Sequence, residues 1–308
     1  MIGAPRLRQY IASTGATPEI ALQEVVLTYV LAALYEQPFA ERLAFKGGTA
    51  LRKLLYGAEG RFSVDLDFLG AKTSDDEVLA IADYLDGLDF HGVSLALGEH
   101  RFSTSEPDHF NRPSPSGFSA ELSFSCTHGT GGFGLDISRR REAYLPLRRV
   151  ELRPETYHAY IAEFALPQPW ALAFEESAAE KVSALLRRMR HGSAKDVYDL
   201  WLYLGRPFAA ARFRRLLALT LWSDRRVLGE SGGRLAEIQA FAFQWEELAG
   251  LLPRRRLEPA EICRAVRERL RAELAAMTPD ETALVADAQH HRLVAVFQRL
   301  ADEAPSLE

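Results

Sequence analysis

The chain has 308 residues, 47% of them hydrophobic and 26% charged, and a net charge of −5. This is the composition of a globular protein with room for one large domain or two ordinary ones. A net-negative molecule is no generic polyanion binder, so nucleic acid would have to meet a local basic patch. Two cysteines, Cys126 and Cys263, exclude a disulfide framework and point to a reducing compartment. No run of about 18 apolar residues stands out as a membrane span, and the opening residues lack the apolar core of a secretory signal.

In chain order, residues 20–37 have apolar positions at helical spacing and predict a helix that buries most of its surface. The run LAFKGG predicts a strand entering a turn. TALRKLLYG then has a helical period and ends on Gly57, a suitable cap. In RFSVDLDFLG the residues alternate as in a strand: Ser63, Asp65 and Asp67 face one way, Phe62, Val64, Leu66 and Phe68 the other. A helix is expected over 74–87. VSLALGEH, GFSAELSFSC and GGFGLDIS read as strands, interrupted by the polar, proline-rich loop TSEPDHFNRPSPSG.

Past about residue 150 helical spacing dominates. PWALAFEESAAEKVSALLRRMR predicts one helix with Pro169 early in it. SAKDVYDLWLYL predicts a second with Ser193 as N-cap. Further helices are expected over 207–222, 234–250, 258–277 and 279–302. The fold class is α+β: a mixed sheet with helices over 1–150, then an all-helical domain over 151–308.

The chemistry concentrates in FKGGTALRKLLYGAEGRFSVDLDFLG. Gly47-Gly48 between strand and helix lets backbone N–H groups approach an anion, and Thr49 adds a hydroxyl where the helix begins. A triphosphate fits that description; so does an ordinary tight turn. Asp65 and Asp67 project from one strand face and repel unless a positive charge lies between them. A hard divalent cation such as magnesium would relieve this; a solvent-facing strand is the alternative. Asp136, in FGLDISRR, lies on another predicted strand and offers a third acid.

In the helical half, Lys195 and Asp199 are spaced as an i,i+4 surface pair, and Lys181 reads equally as a solvated lysine beside Glu180. The run Arg187, Arg188, Arg190 could grip an RNA backbone or cap a helix C-terminus. His290 and His291 point to different sides of a helix and make no zinc pair.

The motifs FKGGTALRKLLYG, RFSVDLDF, LDIS and EKVSALLRR…KDVYDL, in that order, resemble the AbiEii/AbiGii nucleotidyltransferase toxins of the DNA polymerase β-like nucleotidyltransferase superfamily, to which the mycobacterial MenT toxins are similar. The resemblance spans roughly residues 20–205. It implies a nucleotidyltransferase-fold sheet and a phosphate-binding turn at Gly47, Gly48 and Thr49. It also implies a metal pair at Asp65 and Asp67, a third acid at Asp136, and pocket-lining residues at Lys46, Arg61 and Ser63. In the helical half the matching positions are Lys181, expected at the nucleotide phosphates, and Asp199, expected to orient Lys181 or a substrate group. Lys195 stands where many relatives have arginine, which keeps the charge and loses bidentate geometry.

The activity implied by the resemblance is magnesium-dependent transfer of a nucleoside monophosphate from an NTP to a hydroxyl. The expected acceptor is RNA, in particular a tRNA 3′ end, with Arg187, Arg188 and Arg190 as its contacts. The expected setting is a cytoplasmic toxin of a toxin–antitoxin or phage-defence system, with a cognate antitoxin as partner and no membrane. Transfer to a protein hydroxyl, or a non-catalytic relative that binds RNA or protein, are the alternatives. A non-catalytic relative would be expected to have lost an acid or the glycine turn, and both are present.

Overall fold

The computed structural model describes residues 2–70, 72–103, 117–139, 141–157, 160–187, 193–224, 235–252, 257–287 and 292–307. Two helices, α1 (Ala4–Thr14) and α2 (Pro18–Tyr35), open the chain. Thr17 caps α2 by accepting the Ile20 N–H. The sequence of α2 is apolar almost all round, and such a helix belongs in a core. It is long and apolar enough to cross a membrane by length and composition, yet it is buried within the fold and carries Glu24 inside it.

Among the described residues eight strands form one mixed sheet: β1 (Ala44–Lys46), β2 (Leu66–Leu69), β3 (Asp89–Phe90), β4 (Val93–Ser103), β5 (Gly117–Cys126), β6 (Gly129–Ser138), β7 (Arg148–Arg149) and β8 (Trp170–Ala171). Their order is β3-β4-β5-β6-β2-β1-β8-β7. Alternation divides the sheet's faces. Phe68, Phe118, Leu122, Phe124, Leu135 and Ile137 are buried on one side, where α2 and α4 (Asp75–Leu85) pack. Each such aromatic is worth about 2–3 kcal/mol of burial. Ser119, Glu121 and Asp136 alternate with them and lie on the other side.

The helical half packs α5 (Phe174–Arg187) against α6 (Ala194–Leu204) and α7 (Ala210–Ser223). The two halves are joined by specific bonds. Phe62 N–H donates to Leu251 O at 2.9 Å, Tyr56 Oη to Asp199 O at 2.9 Å, and Tyr198 Oη to Glu59 O at 3.0 Å.

Several expectations need correction. Trp170–Ala171 is not the start of a helix. It is strand β8, running parallel to β1 with Leu172 N–H bonded to Phe45 O, and α5 begins only at Phe174. Unpaired sheet edge outweighed local helical periodicity there. The helix expected over 234–250 is broken into short turns, among them Ala240–Ala242 and Glu246–Ala249. The last span is two helices, Pro279–Ala286 and Val294–Glu303. The strand expected from residue 61 begins at Leu66, where pairing with Leu135 starts. The helix after the glycines widens into a π-helix over Leu51–Tyr56, a form common at functional sites; it ends, as expected, at Gly57, with φ of +56°.

Candidate active site

The two glycines make room for two side chains. Gly47 has φ of +77°, in the left-handed region, and a Cβ there would overlap the Asp67 carboxylate. A Cβ on Gly48 would overlap the Arg61 guanidinium. The β1–α3 turn, α3 being Gly47–Ala50, therefore lies directly against an acid from β2 and a base from the segment before it. Thr49 holds that segment by donating its hydroxyl to Asp65 O at 2.5 Å.

The sheet register sets the carboxylates. Lys46 on β1 is opposite Asp67 on β2, and Asp67 is opposite Asp136 on β6. Asp65 lies just before β2, exposed, and its Oδ1 accepts the Gly134 N–H at 3.2 Å. Ser119 on β5 donates its hydroxyl to Asp136. Burial pushes Asp67 up to about 6; Lys46 opposes this, and Asp136 and then Asp65 add to it.

The opposite wall comes from the helices. Lys181 on α5 reaches Asp199 Oδ2 at 2.8 Å and Asp196 Oδ1 at 2.9 Å, both on α6. Arg61 Nη2 meets the same Asp199 oxygen at 2.9 Å. Burial alone would lower the Lys181 pKa, but Asp196 and then Asp199 outweigh it and hold the ammonium well above its usual range. Lys46 Nζ contacts Glu180 Oε2 at 3.0 Å, and Glu180 Oε1 contacts Arg141 Nη2 at 3.0 Å. Arg141 also pairs with buried Glu176. Buried Asp199 and Glu176 lie behind this wall, and Glu180 and Asp196 border the open space together with the cations they pair.

That space is a cavity of about 450 Å³ bordered by Lys46, Gly47, Gly48, Arg61, Ser63, Asp65, Asp67, Arg141 and Lys181 among others. Sequence positions far apart meet here: the glycine turn, Arg61, Ser63 and the aspartates face Lys181. Asp199 lies behind Lys181, buried, and Thr49 is buried beneath the turn. Asp136 borders a neighbouring cavity instead. Asp199 does not pair with Lys195, whose Nζ lies 3.8 Å from Glu247. Glu180, Asp196 and Arg141 complete this network; Glu180 and Asp196 fall inside the motif EKVSALLRR…KDVYDL at positions for which the resemblance implies no role, and Arg141 lies three residues past LDIS. Arg188, Arg190 and the side chain of Arg187 lie outside the described residues.

Among the described residues no three His, Cys, Asp or Glu side chains already stand close enough together to hold a metal. The donors at the turn nevertheless suit a hard divalent cation. They are carboxylate oxygens, and the raised pKa of Asp67 is the signature of an acid that added positive charge would relieve.

A turn that accommodates a carboxylate, a row of acids on a mixed sheet and a wall of anchored cations suit phosphoryl chemistry on a nucleotide. The chain is a nucleotidyltransferase. The family model described as "Nucleotidyl transferase AbiEii toxin, Type IV TA system" matches residues 29–299, and the chain belongs to that AbiEii toxin family. Its fold is that of MenT4, a nucleotidyltransferase toxin from Mycobacterium tuberculosis H37Rv, with a TM-score of 0.76 and 24% identity over 99% of this chain and 100% of that one. A putative nucleotidyltransferase from H. pylori aligns with a TM-score of 0.48 and 16% identity over 83% of this chain and 94% of that one. No curated protein matches the chain.

Proposed function

We propose that the chain transfers a nucleoside monophosphate from an NTP to the 3′-terminal hydroxyl of an RNA, with tRNA as the acceptor and magnesium as the cofactor. One observation carries this reading: the cavity in which Gly47-Gly48, Lys46, Arg61, Lys181 and Arg141 surround Asp65 and Asp67, with Asp136 next in register to Asp67. The triphosphate lies along the glycine turn, its charge met by Lys46, Arg61 and Lys181. Thr49 holds the turn to the segment that carries Asp65, and Ser63 lines the pocket beside it. Asp199 keeps Lys181 and Arg61 oriented, so no side-chain reorganisation is needed when phosphate arrives.

The acceptor oxygen attacks the α-phosphorus. The new P–O bond forms as the bond from the α-phosphorus to the β-phosphate oxygen breaks, pyrophosphate leaves, and the hydroxyl proton passes towards Asp136. Asp65, Asp67 and Asp136 would hold magnesium, which supplies positive charge to the phosphate oxygens and the leaving group. The family's description as a type IV toxin–antitoxin system supports a toxin restrained by a cognate antitoxin; we place its action in the cytoplasm, in a toxin–antitoxin or phage-defence setting.

The purified protein should be incubated with each α-labelled NTP, magnesium and either total RNA or a nuclease-treated lysate. Label should enter small RNA at its 3′ end. Label confined to protein would overturn the RNA reading and leave the transferase in place.

A further inference from the structure

Successive register pairs place Lys46, Asp67, Asp136, Ser119 and Arg101 in a single row across β1, β2, β6, β5 and β4. Directly opposed residues share a face of the sheet, so the acids in the middle of the row have a cation at each end. Lys46 belongs to the cavity already described. Arg101 belongs to a second one, of about 640 Å³, bordered by His100, Arg101, Ser119, Glu121, Gly134 and Asp136. A transferase with two substrates needs two sites that adjoin at the reacting groups, and these cavities border on directly opposed residues, Asp67 for the first and Asp136 for the second.

We propose that this second cavity is the site for the acceptor's terminal nucleoside, with the ribose hydroxyls against Asp136 and Glu121 and the phosphate preceding that nucleoside at Arg101. The inference rests on RNA being the acceptor.

Charge restricts what can enter. Glu99, Glu121 and Asp136 border the cavity against one arginine, so a run of phosphates is repelled. An ionised carboxylate only accepts hydrogen bonds, and a terminal ribose offers two adjacent O–H donors. Strand spacing of about 4.8 Å puts Arg101 two strands, roughly 10 Å, from Asp136, room for a nucleoside between its reacting hydroxyl and its own phosphate. The irregularity in β4 between Leu97 and His100 re-aims the strand, and Gly98 there has its Cα hydrogens near Glu121 O, where a Cβ would lie 3.1 Å away. The 2′-hydroxyl distinguishes RNA from DNA, and Glu121, diagonal to Asp136 on the same face of the sheet, is the carboxylate placed to read it once Asp136 is engaged in the reaction.

Arg101 and Glu121 are both exposed, so Arg101→Gln and Glu121→Gln should fold as the parent does, checked by thermal melting. Each is assayed with saturating NTP and an RNA oligonucleotide ending in a ribose or a 3′-hydroxyl 2′-deoxyribose. Arg101→Gln should raise the acceptor KM about tenfold and leave the NTP KM unchanged. Glu121→Gln should narrow the preference for the ribose terminus several-fold. If the parent labels RNA and both variants keep its acceptor KM and preference, this cavity is not the acceptor site although the transferase reading stands. If the parent labels only protein, both readings fall together.

Discussion

Two buried carboxylates, each held by two cations, have opposite relations to solvent. Glu24 on α2 meets Lys53 Nζ at 3.0 Å and Arg52 Nε at 3.2 Å. Lys53 also donates to Glu24 O and Thr28 Oγ1, so its three protons are all engaged. Arg52 adds a bond from Nη1 to Gly57 O at 3.2 Å and stacks 3.9 Å over the Phe62 ring. Burial pushes the Glu24 carboxyl up, but Lys53 and then Arg52 outweigh it and hold it below the usual carboxylate range. Asp199 has the same two-cation shell, in Lys181 and Arg61, yet its lysine is 11% exposed and borders the cavity, whereas Lys53 is 0% exposed. The sealed cluster ties the π-helix and the segment leading to Arg61 onto α2; the open one places Lys181 and Arg61 on the border of the cavity. The chemistry of the pair is therefore no guide to its role, and solvent access is.

The largest break is expected at a third carboxylate, Asp67, which makes no ion pair among the described residues. Asp67→Asn should reduce transfer about 10³-fold or more. It should also stabilise the metal-free protein at pH 7.5 by about 3 kcal/mol. The folded Asp67 has its pKa raised to about 6 from 3.8. Its favourable contribution is therefore complete below about 3.8 and is lost as pH rises through about 6. The advantage of the variant should vanish towards pH 4, as read from melts in chelator across that range. An advantage that grows at low pH would contradict the assignment.

Next, Glu24→Gln should cost about 3–5 kcal/mol, because it leaves Lys53 and Arg52 buried without their anion. Denaturant midpoints measure this, and activity per folded molecule should fall little. Lys181→Met has the reverse profile: a stability change within about 1–2 kcal/mol and a loss of about 10²-fold in kcat/KM for NTP. Because Asp199 acts through Lys181, Lys181→Met combined with Asp199→Asn should be little worse than either alone. If Glu24→Gln and Lys181→Met gave the same balance of stability and activity losses, the contrast between the clusters would be lost. The smallest effect is expected from Thr49→Val, which removes one hydrogen bond to Asp65 O and should cost about 1 kcal/mol.

Much of this was legible in the sequence where a local rule applied. The alternation in GFSAELSFSC predicted β5 over its whole length, and Ser193 caps α6 as its position foretold, accepting the Lys195 N–H at 3.2 Å. Local rules misled where long-range contact decided. Spacing alone paired Asp199 with Lys195, but α6 turns Asp199 inward to partners from α5 and from the segment before β2. β8 is two residues long and owes its conformation to the free edge of β1. Arg141 follows β6 in an irregular segment with no periodic signal. Glu24 had one readable sign, an acid in the interior of a helix apolar almost all round, which calls for a buried cation; its partners lie some thirty residues away, beyond the reach of helical spacing.

In the proposed reaction the cavity presents the α-phosphorus of an NTP to an acceptor hydroxyl beside Asp67 and Asp136. The most direct test supplies one NTP labelled either at the α- or at the γ-phosphate to the protein with magnesium and tRNA. The expected result is α-label joined to the RNA 3′ end, γ-label released as pyrophosphate in equal amount, and neither event with Asp67→Asn. Transfer of γ-label to any acceptor, or α-label transfer undiminished in Asp67→Asn, would contradict it.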